Sequence, residues 1–355
     1  MFLLSKATCC SLQEQHVIKK YIMRYFIILF IVTIMACNTT PHNHVIIQKL
    51  PNTQKLHGYS TTKFDNEFGI IALYTTENYY ICQSHRTDYH FFIYNKKDTT
   101  KIGDLCPKGR GANEFIAPIY LSQYVLENQE TKIWILDRAT SRFYKINIDK
   151  SIKENKTYIE KSISIRHYHK NYVRELFQLN DTLFLGTDDQ HLCKHFLLNT
   201  RDSVIQYLEA DTKFAPAINP FTIFQNVSTY NVNSKQIATS YFCLPKINFI
   251  NVHSKSMKII HYKTHINPLK ITQKQENEEF FHTICSNPQF VFALYNHESN
   301  ENKSSILVFT WEGNPVCEYI IPYATHITFD QTKNTIIAIN INKEKEIVTL
   351  YPLTL

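Results

Sequence analysis

Ile70-Ile71-Ala72-Leu73-Tyr74-Thr75, Tyr79-Tyr80-Ile81-Cys82-Gln83-Ser84 and His90-Phe91-Phe92-Ile93-Tyr94 follow one another closely, and Thr100-Lys101-Ile102 completes the group. Each run is short and rich in β-branched and aromatic side chains, and each is bounded by Thr, Asn, Asp or Lys, so it reads as a strand and not as part of a helix. Four such runs in succession with no helix between them make one antiparallel unit.

The same unit recurs outward from this stretch. Residues 119–125, 132–137, 143–148 and 156–165 form a second group, and further groups occupy 172–208, 221–262, 281–322 and 327–353. Six groups recurring about every 40 to 50 residues, with four strands per unit as the pattern, are the signature of propeller blades. The expected fold is all-β, a six-bladed β-propeller formed by residues 44–355 as one domain. The last group offers only 326–329, 335–340 and 347–352, while 44–50 reads as an isolated strand near the N-terminus. Pairing of this N-terminal strand with the last blade closes the ring and removes two open edges, and it places the N- and C-termini side by side. Only residues 273–281 have the character of a short helix or long loop.

Upstream of the first group, Met23-Arg24 precedes a nearly wholly apolar run, Tyr25 to Ala36, which ends in Ile34-Met35-Ala36-Cys37. The run is too short to span a bilayer as a helix and fits the apolar region of a secretory signal. Its end resembles the bacterial lipobox. That resemblance implies a lipid thioether on Cys37, a signal peptide over residues 1–36 with translation starting at Met23, and a lipidated tether over 37–43. Asn38 resembles the residue found after the modified cysteine in lipoproteins sorted to the outer membrane. The expected location is therefore the outer membrane, on its periplasmic face, with the cell surface as the alternative.

Loss of Lys6, Lys19, Lys20 and Arg24 together with Glu14 lowers the formal charge from +7 to +4, and the remaining positive charge is dispersed. Without a dense basic block, nucleic acid is not an expected partner. The six remaining cysteines, Cys82, Cys106, Cys193, Cys243, Cys285 and Cys317, form no C-x-x-C pair, so they read as buried thiols.

Glycine is scarce, seven residues in all, yet Gly103, Gly109 and Gly111 fall within Lys101-Ile102-Gly103-Asp104-Leu105-Cys106-Pro107-Lys108-Gly109-Arg110-Gly111-Ala112-Asn113-Glu114-Phe115. Such a concentration marks a backbone that needs positive φ or close approach. The segment resembles the Gly-x-Gly-Pro-x-Glu-Phe-like element that follows the first blade in TolB-like six-bladed propeller lipoproteins of Gram-negative bacteria, with Ala112 where that family often has proline. Ile135-Leu136-Asp137-Arg138 and the hairpin Leu307 to Val316, turning at Gly313-Asn314, agree with it. The resemblance implies a propeller in the cell envelope and implies no common reaction.

The residues themselves offer few sites. Lys108, Gly109, Arg110, Gly111, Asn113 and Glu114 form a candidate ligand loop, in which backbone N–H groups and two cations could cradle an anion. The competing and favoured reading is a plain connection between blades. His191, Cys193 and His195 alternate along one strand face and form a weak metal candidate, but three neighbours along one strand converge poorly. His167 with His169, and Asp188 with Asp189, read as solvent-exposed features, and Asp137 reads as a turn acid. No nucleophile elbow is present and nothing in the sequence calls for a cofactor. The expected function is a non-catalytic binding or interaction module for an envelope protein, peptide or glycan. The alternative is an envelope hydrolase or lyase with its site at the central channel, built by groups such as His191, Asp188 and Arg110.

Overall fold

The computed structural model describes residues 43–61, 63–64, 69–85, 87–188, 194–208, 223–266, 278–296, 302–341 and 346–353. Blade 1 is the meander Ile70–Thr75, Tyr79–Ser84, Tyr89–Asn95 and Lys101–Pro107, which adopts the strand order read from the sequence. Blade 2 comprises Pro118–Glu127, Glu130–Asp137, Arg142–Asn147 and Tyr158–Ser164; blade 3 comprises Val173–Gln178, Leu183–Asp188, His195–Asn199 and Val204–Tyr207. Blade 4 is built from Asn226–Asn231, Gln236–Tyr241, Lys246–Asn251 and Met257–Tyr262; blade 5 from Phe281–Ser286, Phe290–Asn296, Lys303–Thr310 and Pro315–Pro322. Blade 6 has His326–Asp330, Thr335–Ile341 and Glu346–Pro352 from the C-terminal part of the chain. The first strand of each blade is innermost.

Both faces of each sheet are covered by neighbouring blades, which explains why the second and third strands are almost continuously apolar instead of alternating. Six apolar clusters among the described residues each span one blade interface. Between blades 1 and 2, for example, Ile81, Phe91 and Ile93 pack on Ile133, Ile135 and Ile146, and Phe115 stands edge-on to Tyr144 at 4.9 Å.

The ring is closed by an N-terminal strand on the last blade, as expected, but that strand is Tyr59–Thr61, antiparallel to Glu346–Pro352. The run at 44–50 does something else. Asn43–Ile47 lies parallel to Met257–Tyr262 on the outer edge of blade 4, and Thr53–Lys55 lies parallel to Pro315–Pro322 on blade 5. The N-terminal segment is thus a strap across three successive blades. Tyr59–Thr61 wins the closing position because it directly precedes blade 1 in the chain, whereas Ile47 and Leu50 are drawn into the apolar cluster between blades 4 and 5. The ends of the described domain accordingly lie on different blades, Asn43 on blade 4 and Pro352 in blade 6, and not side by side.

A seven-residue helix, α1 (Ile148–Glu154), interrupts blade 2 between its third and fourth strands, at a place where the sequence suggests only a gap. The Asn147 side chain caps it by accepting the Lys150 N–H, and Asn155 ends it in the left-handed conformation. Asp149 then ties blade 2 to blade 1, accepting the Tyr79 hydroxyl and the Thr131 N–H, each at 2.6 Å. Of the segment expected as a short helix or long loop, 273–277 lie outside the described residues, 278–280 are irregular and Phe281 opens the first strand of blade 5. Cys106, Cys243, Cys285 and Cys317 are free and buried, as read from the sequence, and Cys82 is buried; Cys193 is outside the described residues.

Candidate functional site

The segment rich in glycine connects blade 1 to blade 2. Phe115 anchors it in the core, its N–H donating to the Pro107 carbonyl at 2.8 Å, and the Gly109 N–H donates to the Phe115 carbonyl at 3.2 Å. The Glu114 carboxylate accepts the Gly111 N–H at 2.7 Å, and Lys108 donates to the His85 carbonyl at 2.8 Å. The loop's own carboxylate therefore occupies the position where an external anion would be held, while Arg110 and Asn113 point into solvent. Gly109 has φ +155° and a Cβ there would lie 1.8 Å from a Glu114 oxygen. Gly109→Ala is expected to cost about 1–3 kcal/mol in urea denaturation, and adding Glu114→Ala should recover part of it.

Other expected residues are engaged in structure. His195 is fully buried and its Nε2 bonds Thr239 Oγ1 at 2.8 Å; His191 and Cys193 lie outside the described residues. His169 and Asp188 are buried instead of solvated. They face each other at 3.1 Å, and the Tyr207 hydroxyl donates to Asp188 at 2.5 Å. Asp189 is not among the described residues. Asp137 is the turn acid expected: its carboxylate accepts the N–H groups of Ile116, Ala117 and Ala139, each at 3.1 Å. Neither Asp188 nor Arg110 lines the central channel, so the enzymatic cluster considered from sequence does not form between them.

The channel itself is a cavity of about 610 Å³ walled by the innermost strands of all six blades. Blades 6, 1 and 2 contribute rings. His326, Tyr74 and Tyr120 pack edge to face in turn, at 5.5 and 5.0 Å between centroids. His326 Nε2 faces the Leu73 carbonyl at 3.1 Å, which can only accept, so Nε2 carries the proton. Burial pushes this imidazole down to about 4 against the pull of that carbonyl, keeping it neutral at physiological pH.

Blades 3, 4 and 5 contribute polar groups. Arg138 Nε donates to the Arg174 carbonyl at 2.9 Å and Arg174 Nε to the Asn226 carbonyl at 3.2 Å, which stitches blade 2 to blade 3 and blade 3 to blade 4. One Glu175 oxygen accepts the Ser228 N–H at 2.9 Å, and the Ser228 hydroxyl in turn bonds Thr239 at 2.9 Å. The other Glu175 oxygen is buried without a partner, as are the hydroxyls of Tyr120 and Tyr230. Near the far end, a bulge in Pro118–Glu127 re-aims Leu121, Ser122 and Gln123, with Ser122 at φ 58°. Gln123 holds the bulge to blade 3 by a two-way bond with Gln178, at 2.6 and 2.9 Å.

Glu175 and its neighbours were not singled out in the sequence. Their signal is Arg174-Glu175 within the strand Val173–Gln178, a charged pair in the first strand of a blade, where side chains meet the channel.

Profile comparison matches residues 73–331 to the family described as TolB-like 6-blade propeller-like. Among solved structures, a protein from Bacteroides fragilis described as exported superposes with TM-score 0.52 at 11% identity, covering 87% of this chain and 99% of its own. A member of the DUF4221 family from Bacteroides vulgatus gives 0.50 at 11% identity, covering 86% and 93% respectively. No curated protein sequence matches the chain. At such identities the superpositions speak to fold alone, whereas the profile covers well over half of the sequence. The chain belongs to the TolB-like six-blade propeller family.

Proposed function

We propose that this protein is a non-catalytic binding module of the cell envelope, held at the outer membrane by lipid on Cys37, whose ligand enters the central channel. The observation that carries the channel reading is the cavity itself, bounded by the innermost strands of all six blades and lined by polar side chains of several of them. The volume, about 610 Å³, lies within the range of about 300–1,000 Å³ common to small-molecule sites. Description of the Bacteroides fragilis structure as an exported protein supports the envelope location.

A binding role is favoured over hydrolysis by the chemistry of the lining. Glu175 is the one carboxylate among the described lining residues, whereas glycoside hydrolysis generally uses two. Ser228 and Ser286 bond Thr239 and Thr229 instead of an imidazole base, and burial raises the Cys285 thiol far above its ordinary value. Native mass spectrometry of the full-length protein purified from membranes tests both halves. The expected spectrum shows acyl mass that Cys37→Ala lacks, and a retained small molecule that Gln331→Trp, at an exposed position of the channel lining, lacks. An unmodified Cys37 would refute the anchor; equal retention by Gln331→Trp would refute the channel.

A further inference from the structure

We infer that one rim of the disc, along blades 1 to 3, is a docking surface for an acidic segment of another protein, received by Arg110, Arg142, Arg166 and Lys170 among the exposed side chains of Tyr89, Ile116 and Tyr172. The inference stands apart from the channel and takes from the functional proposal only the lipid on Cys37.

Strand register brings these groups to one rim. Tyr89 pairs with Pro107 where blade 1 ends, and the next connection runs past Arg110 to Ile116, whose N–H donates to Asp137 of blade 2 at 3.1 Å. Arg142 pairs with both Asp137 and Ser164 at that end of blade 2, and Arg166, Lys170 and Tyr172 follow Ser164 in the connection to blade 3. Arg138 Nε, bonded to the Arg174 carbonyl at 2.9 Å, joins this end of blade 2 to the same end of blade 3. Arg142 and Tyr144, two apart along one strand, project to one side, where Tyr144 meets Phe115 at the close of the loop that carries Arg110. Charges scattered along the sequence are thus gathered in space.

The pairing of charge sets this rim apart. Arg110, Arg142, Arg166 and Lys170 are exposed, and none of them forms a salt bridge with a described residue. The exposed acids described in the same arc are Asp88 and Glu114, and Glu114 is already bonded to the Gly111 N–H at 2.7 Å. Toward the opposite rim of blade 2 the reverse holds: Lys132, Lys145, Lys150 and Lys156 each lie within 3.7 Å of a glutamate oxygen. One blade therefore answers its cations at one rim and leaves them unanswered at the other. An acidic partner supplies the missing countercharge and is steered to it.

Residue type narrows the partner. Three of the four cations are arginines, whose planar forks match carboxylates bidentately. Tyr89, Ile116 and Tyr172 expose 37, 42 and 40% of their surface, and tyrosine beside arginine is the composition of protein–protein hot spots. An acidic polysaccharide or a nucleic-acid backbone brings countercharge but little apolar surface for Ile116. A bilayer is disfavoured by the path of the chain. Asn43 enters the propeller beside Lys258, at the end of blade 4 away from Asn226, whose carbonyl accepts Arg174 Nε. Lipid on Cys37 therefore tethers the molecule from the other rim.

Calorimetry on the full-length protein tests this with two synthetic peptides of equal negative charge, one interspersing glutamate with phenylalanine and leucine, the other with glycine. Heparin, duplex DNA and phosphatidylglycerol vesicles serve as polyanion and bilayer probes, the vesicles with Cys37→Ala so that no acyl chain inserts. The peptide with phenylalanine and leucine is expected to bind, more weakly as salt rises. Combined reversal by Arg110→Glu, Arg142→Glu and Arg166→Glu, all at exposed positions, should reduce its affinity about tenfold or more. The matched reversal Lys97→Glu, Lys153→Glu and Arg201→Glu at exposed positions of the other rim should change it less than about twofold. Tyr89→Ala with Tyr172→Ala should cost this peptide about threefold or more and leave the glycine peptide unaffected. Equal loss in the two charge reversals would overturn the inference, as would silence of both peptides. Arginine-dependent binding of heparin, DNA or vesicles tighter than that of either peptide would overturn the protein partner. Gln331→Trp should leave peptide binding unchanged, so failure of the channel reading is seen separately.

Discussion

Replacing Asp330 with alanine is expected to lower the unfolding free energy by about 3–5 kcal/mol, read as a shift in the urea midpoint at neutral pH. Asp330 ends the first strand of blade 6 with its side chain fully buried, and Lys96 of blade 1 reaches it at 2.7 Å with 5% of its own side chain exposed. The Tyr80 hydroxyl donates to the second carboxylate oxygen at 3.1 Å, and Thr332 donates its N–H and hydroxyl to the first at 3.0 and 2.7 Å. Lys96 also donates to the Thr76 carbonyl at 2.6 Å, so withdrawal of the ammonium into water would leave that buried bond unmade as well. Removing the carboxylate strands that ammonium at the seam where the ring closes. The double variant Lys96→Met with Asp330→Asn should recover much of the loss, because it deletes both charges together.

The same pair has a pH signature. Burial raises the Asp330 carboxyl, but the hydrogen bonds of Lys96 and Thr332, the Lys96 charge and the Tyr80 hydroxyl outweigh it and hold the group below the ordinary carboxylate range. A depressed folded-state value means that the contribution is complete above the unfolded value of about 3.9 and is lost as pH falls through the folded one. Unfolding midpoints recorded from pH 6 down to pH 2 should therefore drop less steeply in the double variant than in the parent. Equal slopes would show that the seam does not govern acid sensitivity.

Deleting residues 43–61 is expected to have an effect at least as large. Backbone pairing on three sheet edges disappears, at about 1 kcal/mol net per hydrogen bond, and the buried Ile47 and Leu50 are removed, each worth roughly 1.5–3 kcal/mol. Together these exceed roughly 5 kcal/mol. The outer edges of blades 4, 5 and 6 are then open for pairing with another chain. Light scattering after size exclusion should show concentration-dependent association in the shortened chain and a single monomeric species in the parent. A monomeric, cooperatively melting deletion variant would mean that the strap is dispensable.

Blade count and strand boundaries were readable because each blade repeats the same solution, short apolar runs closed by turn residues. Ile70–Thr75 and Tyr79–Ser84 fall where the sequence places them, and the hairpin turning at Gly313 does too, with φ 70° at that glycine. The destination of the first strand was not readable. Val45, Ile46 and Ile47 are compatible with any open edge, and the choice among blades is made by tertiary packing and chain connection, not by local propensity. The helix α1 escaped notice because seven residues carry too little periodicity, leaving only Asn147 and Asn155 as signals. The channel groups were hidden for a related reason: a single glutamate in one strand gains meaning only when five other strands face it. Likewise His169 and Asp188, polar neighbours of turns in the sequence, become a buried pair once blade 3 is packed.

The strap also constrains the order in which the molecule can assemble. Asn43 pairs beside Lys258, Thr53 beside Glu318 and Thr61 beside Val348, so the earliest part of the domain waits for the latest. Contacts this distant in sequence form slowly, because the intervening chain must lose its freedom before they are rewarded. The first residues of the domain to be synthesised are thus the last to find their places, and until then the blade 4, 5 and 6 edges stand open. Refolding rates should be limited by this final docking, and a chaperone that shields free strand edges would act at that step.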